Sequence, residues 1–219
     1  MHSQLHRRRR QGALLFGLLL SVLHAAQAAP MGFEGSTMVM TDLGPDWSEV
    51  QSNVALTPRD ALGVELTRMR AGEGSARRTL AELTYTRLLK RWNMPHAQAN
   101  LWFFGGAGGV RTDGHTRLML TPGVQADYET RRLYLSMTGR LYRARGINHD
   151  YGMARAGFSF YETAYDQTQP WLVVEVRRMR GLSERTELTP LLRLINKNYF
   201  VEAGVSNMRQ ARLNLMTIF

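Results

Sequence analysis

Arg209 to Phe219 reads RQARLNLMTIF. Taken with period two, Ala211, Leu213, Leu215, Thr217 and Phe219 fall on one face, and Arg212, Asn214, Met216 and Ile218 fall on the other. Side chains alternate across extended backbone, so this is a strand with one apolar face and one that carries a charge and an amide. That is the pattern of a transmembrane β-strand, whose outer side meets lipid and whose inner side meets a polar lumen.

The same alternation runs through the chain after residue 30. Val50, Val54 and Leu56 oppose Glu49, Gln51 and Asn53; Leu62, Val64 and Leu66 oppose Gly63, Glu65 and Thr67. Ala81, Leu83 and Tyr85 oppose Glu82, Thr84 and Thr86, and Leu101 and Phe103 oppose Asn100, Trp102 and Phe104. The pattern is clearest where Leu133, Leu135, Met137 and Leu141 oppose Tyr134, Ser136, Thr138, Arg140 and Tyr142. Later, Leu172, Val174 and Val176 alternate with Glu175 and Arg177, Leu192 and Leu194 flank Arg193, and Val201 and Ala203 flank Glu202. Thr112-Asp113-Gly114 is a hairpin turn, and the Ala144 to Gly152 stretch, rich in Gly, Asn and Asp, reads as a loop. With Met31 to Thr41 as a weak first strand, the reading is all-β: an up-and-down antiparallel transmembrane β-barrel of twelve strands, with ten as the alternative. Each strand with its connection then takes about 16 residues. The glycines of Ala97 to Val110 lack the spacing and the following Lys-Ser/Thr of a phosphate loop, and in a strand they relieve curvature instead.

Residues 1–28 explain the start. Arg7 to Arg10 form a positive region, Ala13 to Leu23 an apolar core, and Ala26-Gln27-Ala28 a small-residue cleavage site, so residues 1–28 read as a secretory signal peptide and 29–219 as the barrel. The formal charge of +10 falls to +6 without the four leader arginines. That excess fits a partner with anionic groups, such as outer-membrane lipid or lipopolysaccharide, but a modest excess on a barrel rim more simply does nothing specific; nucleic acid is disfavoured, because export separates the chain from it and the arginines are spread along strands. Without cysteine there is no disulfide, thiolate metal site or thiol nucleophile.

Alternation does not say which face is inside, because a soluble lipocalin-like barrel shares the period with its apolar face inward. The leader, the terminal Phe219 and charges in mid-strand favour lipid outside. A Lys or Arg facing lipid at mid-membrane costs about 2–4 kcal/mol. Arg140, Arg155, Arg177, Arg193 and Arg212 are therefore expected in the lumen, paired with Glu49, Glu65, Glu82, Glu175 and Glu202, and these ten are the candidate pore-lining residues. Arg87 and Arg178 have the opposite parity near strand ends, where they can snorkel. Trp92, Trp171, Tyr128 and Tyr199 stand where an aromatic girdle is expected.

The C-terminal strand ending on Phe219 resembles that of Gram-negative outer-membrane β-barrel proteins. The resemblance implies an outer-membrane location and an insertion signal, Leu213, Leu215 and Phe219, read by the barrel-assembly machinery; Thr217 stands where an aromatic is usual. The segments ALTPRDA (55–61), GRLYRARGINHDYG (139–152) and LLRLINKNYFVEAGV (191–205) are similar to an uncharacterised proteobacterial outer-membrane family associated with copper and heavy-metal handling genes.

Chemistry beyond the barrel is sparse. His96, His115 and His149 are the histidines outside the leader. His149-Asp150 is the best enzymatic candidate, but consecutive residues point apart on extended chain, and no catalytic residue or cofactor is assigned. Met31, Met38 and Met40 invite a thioether site for Cu(I), but Met on apolar faces serves as filler, and no metal ligands are assigned. No connection is long enough for an elaborate plug. The expected function is a narrow channel or transport accessory, linked through the resemblance to metal handling; the alternatives are a structural envelope barrel or a lipid-modifying enzyme.

Overall fold

The computed structural model describes residues 30–70, 77–164, 167–183 and 185–219; the leader lies outside them. The described chain forms β1 (Thr37–Leu43), β2 (Trp47–Ala55), β3 (Asp60–Arg70), β4 (Arg77–Met94), β5 (Ala97–Thr112), β6 (His115–Leu120) and β7 (Gly123–Thr130). It continues with β8 (Leu133–Ala144), β9 (Ile147–Phe158), β10 (Gln169–Arg180), β11 (Thr186–Asn196), β12 (Tyr199–Val205) and β13 (Ala211–Ile218). Apart from β6 and β7, each strand pairs antiparallel with its neighbours in sequence, and β13 returns to β1 through Met40↔Met216 and Asp42↔Asn214, closing the sheet. β6 and β7 lie end to end between β5 and β8, interrupted at Thr121-Pro122 because proline has no N–H for the ladder. They are two halves of one barrel strand, so the barrel has twelve.

The polarity of the barrel is inside-out. Leu83, Leu118 and Met137 are about 70% exposed on its outer face, whereas Arg177, Glu175, Arg193 and Glu202 are at most 2% exposed within. Water does not favour that arrangement; a bilayer does. The soluble-barrel alternative needs the reverse.

Several sequence expectations shift. The first strand begins at Thr37, not Met31, because residues 30–36 turn into the barrel mouth. The stretch expected as a loop from Ala144 is strand but for the Arg145-Gly146 turn: β9 starts at Ile147, where pairing Asp150↔Arg180 and Leu141↔Asp150 outweighs local turn preference. Likewise Lys90–Met94 continues β4 after a bulge at Leu89. Asp113 and Gly114 both take positive φ, 49° and 79°, as the two central residues of the expected tight hairpin. Trp171 points inward onto Tyr134, Val173 and Leu191 and so leaves the girdle, while Trp92 and Tyr199 remain exposed near the termini.

Gly108 allows β4 and β5 to approach closely. A Cβ there would fall on the Ala81 carbonyl oxygen and on Glu82. Gly108→Val is expected to abolish the folded, heat-modifiable band on a semi-native gel, whereas Ala107→Val, on the exposed outer face, leaves it intact.

Candidate functional site: the barrel interior

The interior is layered. At the end away from the termini, Trp47, Met69, Leu80, Val110, Met119, Tyr142, Ile147 and Met179 converge from eight strands, and Leu182 folds in from the β10–β11 turn. At the terminal end, Met31 packs among Ala55, Ala61, Leu88 and Trp102, while Met38, Phe200 and Met216 form a neighbouring cluster. Residues 30–36 are thus a cap, held by the Asn53 amide donating to the Pro30 carbonyl at 3.0 Å and by Gly35 N–H to Ala55 carbonyl at 2.8 Å. A plug was not expected from the connections; it comes from the chain ahead of β1.

Between the apolar layers runs a charged belt. All ten candidate residues point inward, nine of them in two groups. On one wall, the Arg140 guanidinium donates to both Glu65 oxygens (2.9 and 3.0 Å) and to Glu82 Oε1 (2.6 Å). Thr67 and Thr121 hydroxyls donate to Glu65 and Glu82, at 2.9 and 2.6 Å. On the other wall, Arg155 pairs with Glu175 at 2.5 Å and Glu202 at 3.4 Å, and Arg193 donates to Glu202 at 2.6 Å. Arg177 bridges Glu175 and Asp42, and Arg212 reaches Asp42 at 2.5 Å and Glu187 at 3.6 Å. Aromatic faces carry the guanidiniums: Tyr134 and Phe200 under Arg193, Tyr142 and Phe104 beside Arg140.

Asp42 and Glu187 were missed because they lie at strand ends, where parity gives the weakest signal; each is nevertheless in phase with the inward residues of its own strand. Glu49 was expected to pair. It instead faces a central cavity of about 130 Å³ and makes no ion pair among the described residues. Gln51, Arg140, Tyr151 and Arg155 share the cavity wall.

The enzymatic candidate separates. His149 is buried and stacked on Tyr142, with ring centroids 4.4 Å apart, whereas Asp150 faces outward and pairs with Arg143 and Arg180. Among the described residues no three His, Asp or Glu side chains gather as metal ligands, and Met31, Met38 and Met40 pack in the apolar clusters of the terminal end.

No family model and no curated protein matches the chain. Among solved structures it is similar to the KdgM porin in complex with disordered oligogalacturonate, at 15% identity and TM-score 0.48, over 84% of this chain and 98% of that one. It is also similar to the KdgM porin alone, at 14% and 0.46 over the same shares. Likeness at this level leaves the reading to the chain's own geometry, and it lends no support to copper or heavy-metal handling.

Removing one member of a buried ionic group strands the others. Arg140→Met leaves Glu65 and Glu82 without a countercharge and is expected to cost about 3–5 kcal/mol in reversible urea unfolding. Adding Glu65→Gln and Glu82→Gln to the same chain should recover most of that loss; an additive loss would show that the three do not act as one group.

Proposed function

We propose that the protein is an outer-membrane β-barrel that forms a narrow, normally occluded channel for small cations. The observation that carries this is the cavity at mid-height, lined by Asp42, Glu49 and Glu65 with Arg140 and Arg155, inside a belt that holds seven carboxylates (Asp42, Glu49, Glu65, Glu82, Glu175, Glu187, Glu202) to five guanidiniums. An acid excess in a confined lumen attracts cations and repels anions. An oligogalacturonate, bound by one of the similar porins, is a chain of carboxylates and suits this belt poorly. The ten candidate residues line the path in this reading, with Glu49 as the carboxylate left free to meet a passing ion. Insertion by the barrel-assembly machinery would rest on Leu213, Leu215 and Phe219, which lie on the outer face of β13 and at its end.

Apolar layers at both ends favour a second reading, a closed structural barrel, and one experiment separates the two. The refolded mature protein in a planar bilayer should show rare, small, cation-selective openings, whereas a chain lacking residues 29–36 should open more often and conduct more. Glu49→Gln in the truncated chain should lower the cation preference. If the truncated barrel folds, inserts and never conducts, the closed barrel stands.

A further inference from the structure

The outer face carries a second built feature. At the end away from the termini, Arg70 of β3 lies directly opposite Arg77 of β4, and in the next outward row Arg68 faces Thr79, which faces Arg111 of β5. All four guanidiniums are on the exposed face. Like charges directly opposite one another destabilise a sheet, so this juxtaposition calls for anions. Among the described residues only Arg70 has a carboxylate in reach, Asp46 at 3.7 Å. By contrast, Arg143 and Arg180 at the same end share Asp150.

The next two outward rows toward mid-barrel are uncharged: Leu66, Ala81, Gly109 and Leu118, then Val64, Leu83, Ala107 and Leu120. Small side chains at Ser52, Ala81 and Ala107, between Val64, Leu66 and Leu83, leave a shallow groove of about 650 Å³ below the arginines. Cationic heads above an apolar groove on one lipid-facing surface match an amphiphile with anionic groups above an acyl chain.

We propose that the outer face of β2–β5 is a docking site for one phosphorylated, multiply acylated glycolipid of the lipid A type. Arg68, Arg70, Arg77 and Arg111 take its phosphates and the Ala81–Ala107 groove takes an acyl chain. Guanidiniums bind phosphate through paired N–H donors. The four span two interstrand spacings, roughly 10 Å, which suits two phosphates better than the single phosphate of a glycerophospholipid. The even number of strands puts both ends of the barrel on one side; with that side periplasmic, as the membrane reading takes it, the arginine end faces the outer leaflet. The site rests on the membrane reading above but not on conduction.

The test is native mass spectrometry of the folded protein in detergent, titrated with lipid A, its fully dephosphorylated form, phosphatidylglycerol and inorganic phosphate. Folding of every variant is checked by heat-modifiability, and a protein that folds only in plain buffer would overturn the membrane reading itself. Lipid A should bind one to one, with affinity at least tenfold lower for the dephosphorylated form, for phosphatidylglycerol, for Arg77→Gln/Arg111→Gln and for Ala81→Trp. Arg178→Gln, on the outer face of β10, should bind as the unaltered chain does. Equal binding by Arg77→Gln/Arg111→Gln would overturn the site. So would equal binding of phosphatidylglycerol, saturation by inorganic phosphate, or indifference to Ala81→Trp, since each removes one half of the proposed contact.

Discussion

The structure depends on pairing guanidiniums with carboxylates in an interior that water barely enters. Each buried ion costs several kcal/mol of desolvation, recovered only if partners surround it. The belt meets that condition by sharing: Glu175 is approached by Arg155, Arg177 and Arg212, and Glu202 by Arg155, Arg193 and the Asn214 amide. Many partners are remote in sequence. Arg140 and Glu65 are 75 residues apart, Arg177 and Asp42 are 135, and Arg212 and Asp42 are 170. Those last two contacts cross the β1–β13 seam, so they exist only once the barrel is closed. A slip of one residue in any strand would turn its charge toward lipid and strand its partners inside. The belt therefore specifies register and closure together.

That same constraint made much of the fold legible in the sequence. Lipid penalises a charge on one face, so parity alone put all ten candidate charges inward and separated twelve strands. Parity says nothing about distance around the barrel, which is why Asp42, shared by Arg177 and Arg212, was not foreseen as their partner and why Glu49 was given a partner it lacks. Local turn chemistry misled at Asn148, His149 and Asp150, where two neighbouring strands supply ladder bonds that an isolated segment cannot show. Trp171 misled because an aromatic at a strand start suits a girdle or an interior layer equally. The cap was invisible for a different reason: residues 30–36 carry no period and derive their place from the barrel mouth they fill.

The two apolar layers close the barrel in unlike ways. At the end away from the termini, eight of the nine buried side chains project from strands of the sheet, so that layer can thin only if side chains rotate or the Leu182 turn withdraws. At the terminal end, the cap is a single segment continuous with β1. Its anchors are Met31 among four apolar side chains and a few hydrogen bonds to β2, chiefly at Asn53 and Ala55. It can leave without breaking the Met40↔Met216 and Asp42↔Asn214 pairs that close the sheet.

In the proposed channel, that asymmetry puts control of access at the terminal end. Pro30 reaches the central cavity beside Gln51 and Glu49, so displacing the cap exposes the free carboxylate directly. Water entering from that side would solvate Glu49 first, whereas the guanidiniums of the belt already hold carboxylate partners. An apolar constriction of packed side chains excludes ions by keeping water out, so the layer at the opposite end sets a second barrier in series. In the channel proposed above, a barrel arranged this way is closed at rest by packing and opens from the terminal side by displacement of one segment, while the sheet and its ionic belt stay fixed.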